Sequence, residues 1–109
     1  MEKVELCNKM ETEIFPGFYA KFVHSDNVTI SYVRIDEGAD APEHAHPHEQ
    51  ICQVIEGKFE LTVEGKTYKM ETNDVVVIPS NVKHSAKAFT ACKVVDTFYP
   101  IREDFKKFM

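Results

Sequence analysis

The 109-residue sequence predicts an all-β fold, either a small closed antiparallel β-barrel or a two-sheet jelly roll, with a short C-terminal tail. Nearly every segment alternates with a period of two residues rather than 3.6, and short β-branched or aromatic runs end at turn residues at close intervals. So many short strands must close on themselves or stack, because open sheet edges promote aggregation. Periodicity alone does not distinguish the two architectures.

Turn residues divide the chain into about eight or nine short strands. The clearest of these cover residues 18–24, 28–35, 50–56, 58–63, 74–78, 84–89 and 94–99, with another beginning at residue 66. Ser25-Asp26-Asn27 is a polar link of hairpin length, and Glu64-Gly65 is the two-residue link that favours a primed hairpin turn. Because Gly57 alone separates residues 50–56 from 58–63, we expect these two strands and the next one to be three neighbours.

Only residues 102–109 have a pattern compatible with a helix, in which Phe105 and Phe108 lie three positions apart on one side. Two interpretations stay open for this segment. It is either a turn of helix that plugs the end of the barrel or a contact between subunits.

Composition and charge exclude several classes of function. Of the residues, 43% are hydrophobic and 28% are charged, which is typical of one globular domain that covers residues 1–109. Thirteen basic and eighteen acidic residues give a net charge of −5, so nucleic acids and anionic membranes are poor partners.

The sequence also predicts a reducing, cytoplasmic location. The charged start of the chain, Met1-Glu2-Lys3-Val4-Glu5, lacks the apolar core of a signal peptide, and the longest aliphatic run, residues 75–78, is too short to span a membrane. Cys7, Cys52 and Cys92 are odd in number and far apart, so we expect free thiols rather than disulfides or a zinc finger.

Histidines form the most informative cluster. His44, His46 and His48 alternate within five residues, and His84 stands at the predicted entrance of a later strand. On an extended strand, His44 and His46 would point to one face with Cα atoms about 7 Å apart, a distance that two imidazoles can close onto one metal ion.

Gln50 can join these imidazoles only if the chain turns, because a straight strand would carry it roughly 20 Å beyond His44. Pro47 stands where the turn is needed, and His84 is the distant candidate for a further ligand. The alternative is that the imidazoles belong to a solvated polar loop. Isolated His24, at a hairpin end, is expected to have a surface role.

The spacing of these residues resembles the first motif of the cupin family. Gly38 is followed after five residues by His44-Ala45-His46, after three more by Gln50, and after six more by Gly57. Residues 73–84, Asn-Asp-Val-Val-Val-Ile-Pro-Ser-Asn-Val-Lys-His, resemble the second cupin motif.

The sequence departs from the family pattern at three positions. The family usually has Glu at position 50, Gly at position 81 and Asn at position 88, where this chain has Gln50, Asn81 and Ala88. Asn tolerates the left-handed conformation that a Gly position requires. The resemblance spans residues 30–102 and implies a conserved β-barrel, a homodimer and one divalent ion, namely Zn, Ni, Fe, Co or Mn, held by His44, His46, Gln50 and His84.

A neutral Gln50 leaves the bound ion its full charge, which favours an anionic substrate. It also removes a carboxylate from the site, so another group must move protons, and Asp96 on the last predicted strand is the best candidate. His48 is interpreted as a rim residue beside the substrate, with direct metal ligation as the alternative. Cys52 has the parity of Gln50 and could line the substrate pocket, or serve only as a small buried hydrophobe.

Residues 46–50, His-Pro-His-Glu-Gln, and the ending Asp96-x-Phe98-x-Pro-x-Arg102-Glu-Asp resemble the KdgF group of pectin-degradation cupins. That resemblance implies conversion of 4,5-unsaturated uronates, released by pectin and alginate lyases, into linear ketouronates. It also implies pocket roles for Asp96, Phe98 and Arg102. Arg102 would bind the substrate carboxylate, Asp96 would move a proton, and Phe98 would keep the pocket dry.

Other interpretations of these residues remain. Arg102 could pair with Glu103 or Asp104 at the surface, Asp96 could be an edge-strand gatekeeper, and Phe98 could be a core residue. At the level of function, a cupin dioxygenase or other metal-dependent oxidoreductase competes with the uronate enzyme, because histidine-rich open sites also hold Fe(II) or Mn(II). A non-catalytic sugar-binding domain is the third hypothesis.

Overall fold

The computed structural model describes residues 1–108, and Met109 and the side chain of Phe108 lie outside the described part. Its strands are β1 (Thr12–Phe15), β2 (Phe18–His24), β3 (Thr29–Ile35), β4 (Asp40–His44), β5 (Glu49–Glu56), β6 (Phe59–Val63), β7 (Lys66–Met70), β8 (Val75–Ile78), β9 (His84–Ala88) and β10 (Cys92–Tyr99). Two short 3-10 helices cover Leu6–Asn8 and Glu103–Phe108. No helix among residues 1–108 is both long enough and apolar enough to cross a membrane.

The strands form two antiparallel sheets that pack as a jelly roll. One sheet has six strands in the order β1-β2-β3-β10-β5-β8, and the other has four in the order β4-β9-β6-β7. Within residues 1–108 the sheets are not closed, so the all-β prediction is confirmed in its jelly-roll form and the closed β-barrel is wrong. Apolar side chains from both inner faces fill the space between the sheets; they include Ala20, Ile35, Val54, Leu61 and Val94.

Local turn chemistry follows the sequence closely. β2 and β3 pair across the Ser25–Asn27 link, and β6 and β7 pair across Glu64-Gly65. Both residues of the second link have positive φ, 49° and 78°, as a type I′ turn requires. Asn81 has φ 65°, so this asparagine adopts the left-handed conformation expected of it.

The expectation of three neighbouring strands around Gly57 is wrong. β6 pairs with β7 and β9, whereas β5 lies in the other sheet between β10 and β8. The chain changes sheets at Gly57, where φ is +101° and an added Cβ would lie 2.5 Å from the carbonyl oxygen of Ala91. Only glycine fits this close approach, and the one-residue link therefore joins two sheets instead of forming a hairpin.

The C-terminal 3-10 helix covers one end of the space between the sheets. The ring of Phe105 lies 4.6 Å from that of Phe22 and 5.9 Å from that of Phe98, measured between centroids. Phe105 therefore packs as the first of the two interpretations, the plug, requires, and a contact between subunits stays a prediction. The same expectation for Phe108 concerns a side chain outside the described residues.

Candidate metal and substrate site

Three histidines from two distant parts of the sequence meet at one point between the sheets. The ligand nitrogens of His44, His46 and His84 all lie within 4.8 Å of one another. His44 is the last residue of β4, and it pairs in register with His84, the first residue of β9. The antiparallel pairing of these two strands therefore brings the two histidine motifs together.

The path of the chain between His44 and Gln50 differs in part from the prediction. β4 ends at His44, so His46 does not continue the same extended strand, and the chain bends at Pro47 and His48. The predicted turn at Pro47 is confirmed. It places Gln50 on β5 with its side-chain Oε1 3.1 Å from His46 Nε2.

Each of the three imidazoles is oriented by a backbone carbonyl. Their Nδ1 atoms lie 2.8 to 2.9 Å from the carbonyl oxygens of Pro42, His48 and Val82, in chain order. A carbonyl oxygen only accepts, so each Nδ1 carries the hydrogen and each neutral ring keeps its lone pair on Nε2. This arrangement is typical of histidines that bind a metal through Nε2.

His84 provides the clearest indication of an absent partner. The residue is 3% exposed, and its Nε2 is buried without a hydrogen-bond partner among the described residues. Burial lowers the pKa of His84 to about 4, and burial and the charge of Arg102 lower the pKa of His46. Both rings are therefore neutral near pH 7, which is the protonation state that a metal ligand requires.

Gln50 adds an oxygen to this nitrogen set. Its Nε2 donates to Asp96 Oδ1 at 2.9 Å, which directs Oε1 toward His46 Nε2. With the hydrogen of His46 on Nδ1, the two facing atoms both carry lone pairs, and a cation between such atoms removes their repulsion. Three imidazole nitrogens and one amide oxygen thus fit a divalent transition-metal ion.

Asp96 lies at the middle of the inner face of the larger sheet. It pairs in register with Cys52 on β5 and with Ser31 on β3. Burial raises the pKa of Asp96, while hydrogen bonds from Gln50 and Cys52 oppose this effect. Burial and the neighbouring carboxylate raise the pKa of the Cys52 thiol, so the thiol stays protonated and donates to Asp96.

Arg102 approaches the same space from the C-terminal segment. Its Nε and Nη2 donate to the two carboxylate oxygens of Asp104 at 3.0 and 2.7 Å. The guanidinium carbon lies 4.7 Å from the Phe98 ring centroid and 3.8 Å from that of Phe105. The considered pairing with Asp104 is therefore present, but it involves a buried arginine, 9% exposed, rather than a surface one.

These groups surround one cavity of about 150 Å³ between the two sheets. An apolar cavity of this volume is large enough to hold a molecule of the size of benzene. Most of its wall is apolar, with a few polar groups at defined places, as in small-molecule sites generally. Every predicted site residue except His48 lines this cavity, including Cys52, Asp96 and Phe98.

His48 lies beside the triad rather than in the cavity wall. Its ring centroid is 5.6 Å from that of His46, and its carbonyl oxygen orients the His46 ring. The predicted substrate contact by its side chain stays a prediction. His24 lies apart from the cavity, with Nδ1 2.8 Å from the hydroxyl of Thr29.

One polar residue at the site, Ser31, escaped the prediction from sequence. It lines the cavity on the buried face of β3. β3 has apolar residues on both faces, so its alternation does not identify the inner one.

Comparison with known proteins identifies relatives along most of the chain. The cupin domain family model matches residues 31–98. The pectin degradation protein KdgF of Dickeya dadantii (strain 3937) is 34% identical over 96 residues, which cover 85% of this chain and 87% of that protein.

Two solved structures support the same relationship. KdgF from Halomonas sp. superimposes with a TM-score of 0.82 at 32% identity, and the match covers 87% of this chain and 89% of that chain. An RmlC-like cupin from Shewanella frigidimarina NCIMB 400 superimposes with a TM-score of 0.85 at 30% identity, covering 90% and 89% of the two chains.

Proposed function

Because the chain belongs to the cupin family, and within it to the KdgF group, we propose that it is a metal-dependent enzyme of uronate breakdown. Its substrate would be a 4,5-unsaturated uronate from pectin or alginate, and its product a linear ketouronate. One observation carries the proposal: the histidine triad, which could hold a metal ion, lines the same cavity as Asp96 and Arg102.

His44, His46, Gln50 and His84 would hold one divalent ion. Zn, Ni, Fe, Co and Mn all suit this set of three imidazoles and an amide. When bound, the ion would supply a Lewis acid for the carboxylate and the developing enolate oxygen of the substrate. Because all four ligands are neutral, no ligand charge would offset its attraction for the anionic sugar.

Arg102 would bind the substrate carboxylate. Asp104 engages two of the five guanidinium N–H groups, and the others are not used by this carboxylate. The rings of Phe98 and Phe105 hold the guanidinium by contact with its faces, which limits its rotation. A buried cation in a fixed position attracts a carboxylate more strongly than a solvated one.

Asp96 would transfer the proton that the reaction needs. It would take the proton of the hemiacetal hydroxyl as the ring C–O bond breaks, which leaves an aldehyde and an enolate on the former ring oxygen. Return of that proton to the enolate carbon, C4, gives the ketone, so the overall reaction is an isomerisation without any co-reactant. The burial that raises the pKa of Asp96 brings this carboxyl closer to the range in which it can both accept and return a proton.

Apolar side chains would keep water from the reacting carbon atoms. Phe98 is 5% exposed and contacts the ring of His46 edge-on, with centroids 5.6 Å apart. Phe98 thus separates the metal-binding wall from the C-terminal segment. A dry pocket strengthens the electrostatic interactions of Arg102 and Asp96 with the substrate.

The proposal is tested by adding the purified, metal-loaded protein to an unsaturated monouronate freshly produced by a lyase. We expect accelerated loss of the ultraviolet absorbance of the conjugated double bond, without oxygen consumption. Asp96→Asn should lower kcat by about 100-fold or more and leave ligand affinity largely unchanged. Decay at the spontaneous rate, even at high protein concentration, would refute the proposed activity.

A metal-dependent dioxygenase is the second candidate, because three imidazoles facing an open cavity also suit Fe(II). Oxygen uptake with phenolic or thiol substrates would favour this candidate, and unchanged activity in anaerobic buffer would exclude it. A sugar-binding protein without catalysis would bind uronates equally well before and after Asp96→Asn. Neither the wild type nor the variant would convert them.

We also propose that the protein acts as a homodimer in the cytoplasm. Ile51, Val75 and Val77 on the outer face of the larger sheet are 39, 52 and 58% exposed. Ile51 pairs in register with Val77, and β8, which carries both valines, is an edge strand. An apolar edge of this kind is stabilised when a second copy covers it.

A further inference from the structure

Ser31 carries a buried hydroxyl group that nothing in the described structure satisfies. The residue is 1% exposed, and its Oγ has no hydrogen-bond partner among the described residues. It lies on β3 and lines the same cavity as the metal-binding triad. Because buried hydroxyl groups are nearly always hydrogen-bonded, an unpaired one facing a cavity indicates a partner that comes from outside the chain.

The neighbours of Ser31 explain why its hydroxyl stays unpaired. Its partners in register are Phe22 on β2 and Asp96 on β10. Phe22 has no acceptor in its side chain, and the carboxylate of Asp96 is bonded by Gln50 and Cys52, which lie on β5 on the other side of β10. Ser31 and Cys52 thus flank Asp96 from opposite strands.

Its position relative to Asp96 identifies the part of the substrate that Ser31 would meet. Directly opposite residues on antiparallel strands have Cβ atoms about 4.5 to 5.5 Å apart, so the side chains of Ser31 and Asp96 would contact neighbouring atoms of one ligand. In a 4,5-unsaturated uronate, the carbon that receives the proton is C4, and C3 next to it carries a hydroxyl. The serine hydroxyl both donates and accepts, as a sugar hydroxyl does.

We propose that Ser31 is a specificity-determining residue, whose hydroxyl binds the C3 hydroxyl of the uronate while Asp96 acts at C4. This inference rests on the proposed function and adds a substrate contact to it. A site built to hydrogen-bond a substrate hydroxyl discriminates strongly against an analogue that lacks the group, because the protein hydroxyl then stays buried and unpaired.

Ser31→Ala tests the proposal, with Ser85→Ala as the matched control. Ser85 lies on β9 between His84 and Ala86, and unlike those two residues it does not line the cavity. Ser31→Ala should raise KM for the unsaturated monouronate about tenfold, which corresponds to about 1.4 kcal/mol. The melting temperature of the ligand-free protein should stay the same or rise, because the variant loses an unsatisfied buried group.

Binding measurements give a second, independent test. Titration calorimetry with galacturonate and 3-deoxygalacturonate should show that the wild type prefers the first by about tenfold and that Ser31→Ala binds the two alike. If the alanine variant does not fold, Ser31→Cys fills the same space with a weaker hydrogen-bonding group, and a smaller loss of preference is expected.

Three results would overturn the proposal. The first is that Ser31→Ala leaves both the KM and the preference for the 3-hydroxyl group unchanged. The second is that Ser31→Ala lowers the melting temperature enough to account for the change in KM, which would indicate a structural role. The third is that Ser31→Ala lowers kcat alone, which would indicate a water bound between Ser31 and Asp96.

The proposed function and the role of Ser31 fail in different ways. A wild-type protein that neither binds nor converts uronates would refute the proposed function itself. An active wild type together with an equally active Ser31→Ala variant would refute only the role of Ser31.

Discussion

Gln50 donates its side-chain amide to Asp96 at 2.9 Å, and the same amide turns its oxygen toward His46. One side chain therefore connects the histidine triad with the group proposed to move the proton. A glutamate in the same place would meet Asp96 as a second carboxylate and would have no N–H to donate. This contact gives a structural reason for an amide at a position where cupins usually have a carboxylate.

We predict that Gln50→Glu separates metal binding from catalysis. The variant should bind its ion at least as tightly as the wild type, because a carboxylate is a stronger ligand for a cation. Its kcat on unsaturated uronate should fall at least tenfold, because Asp96 loses its donor and gains a repulsive neighbour. Elemental analysis and the absorbance assay measure the two effects. Gln53 lies three positions further along the same strand and therefore on its other face, so Gln53→Glu should change neither metal content nor kcat. An active Gln50→Glu variant would contradict the proposed role of the amide.

The triad prediction is tested by His46→Ala and His84→Ala. Each variant should lose bound metal, from about one ion per chain to below about a tenth, while circular dichroism shows an intact sheet structure. Added divalent ions should raise the melting temperature of the wild type but not of the variants, since the ion stabilises only a chain that binds it. His24→Ala, away from the cavity, should retain the ion. Full metal content in His84→Ala would exclude this nitrogen as a ligand.

Asp104 is predicted to position Arg102 for the substrate. Asp104→Asn removes the charge that holds the guanidinium and should raise KM for the uronate about tenfold, with a smaller change in kcat. Glu103→Gln is the matched control, because Glu103 is exposed and contacts Lys106 rather than Arg102. Equal KM values for Asp104→Asn and Glu103→Gln would show that Arg102 does not depend on this contact.

The same pair predicts a pH dependence of stability. The hydrogen bond from Arg102 lowers the pKa of Asp104 in the folded protein. The pair therefore stabilises the fold at neutral pH, and this contribution is lost as the pH falls from the ordinary carboxyl range through the lowered pKa. The difference in melting temperature between wild type and Asp104→Asn should shrink over this acidic range. If the difference in melting temperature stayed constant down to the pH at which the protein unfolds, Arg102 and Asp104 would not form an ionised pair.

The exposed apolar edge predicts the effect of charge on assembly. Val77→Lys should shift the mass measured by light scattering from that of a dimer to that of a monomer, because a lysine on β8 would have to be buried between copies. Phe89→Lys removes another exposed apolar side chain, 48% exposed and at a different place, and should leave the mass unchanged. A wild-type protein that is monomeric at micromolar concentration would refute the proposed dimer.

Local interactions explain why much of the fold was predictable. Strands such as β2 and β10 follow from alternating apolar residues, and the Glu64-Gly65 turn follows from residues that tolerate positive φ. The pairing of β5 with β10 and β8 was not predictable, because the Gly57 link is as short as a hairpin link. Whether such a link joins one sheet or two depends on contacts with Ala91 and Cys92, which come later in the chain.

The sequence by itself determined the β-strand pattern and the types and spacing of the side chains that could bind a metal, because both depend on neighbouring residues. Only the tertiary structure decided that the sheets formed by residues 1–108 stay open, that the Asp104 carboxylate pairs with a buried Arg102, and that Ser31 faces the cavity without a hydrogen-bond partner among these residues. Each of these depends on register between strands or segments far apart in the chain. Packing sets that register over the whole domain, so no local pattern contains it.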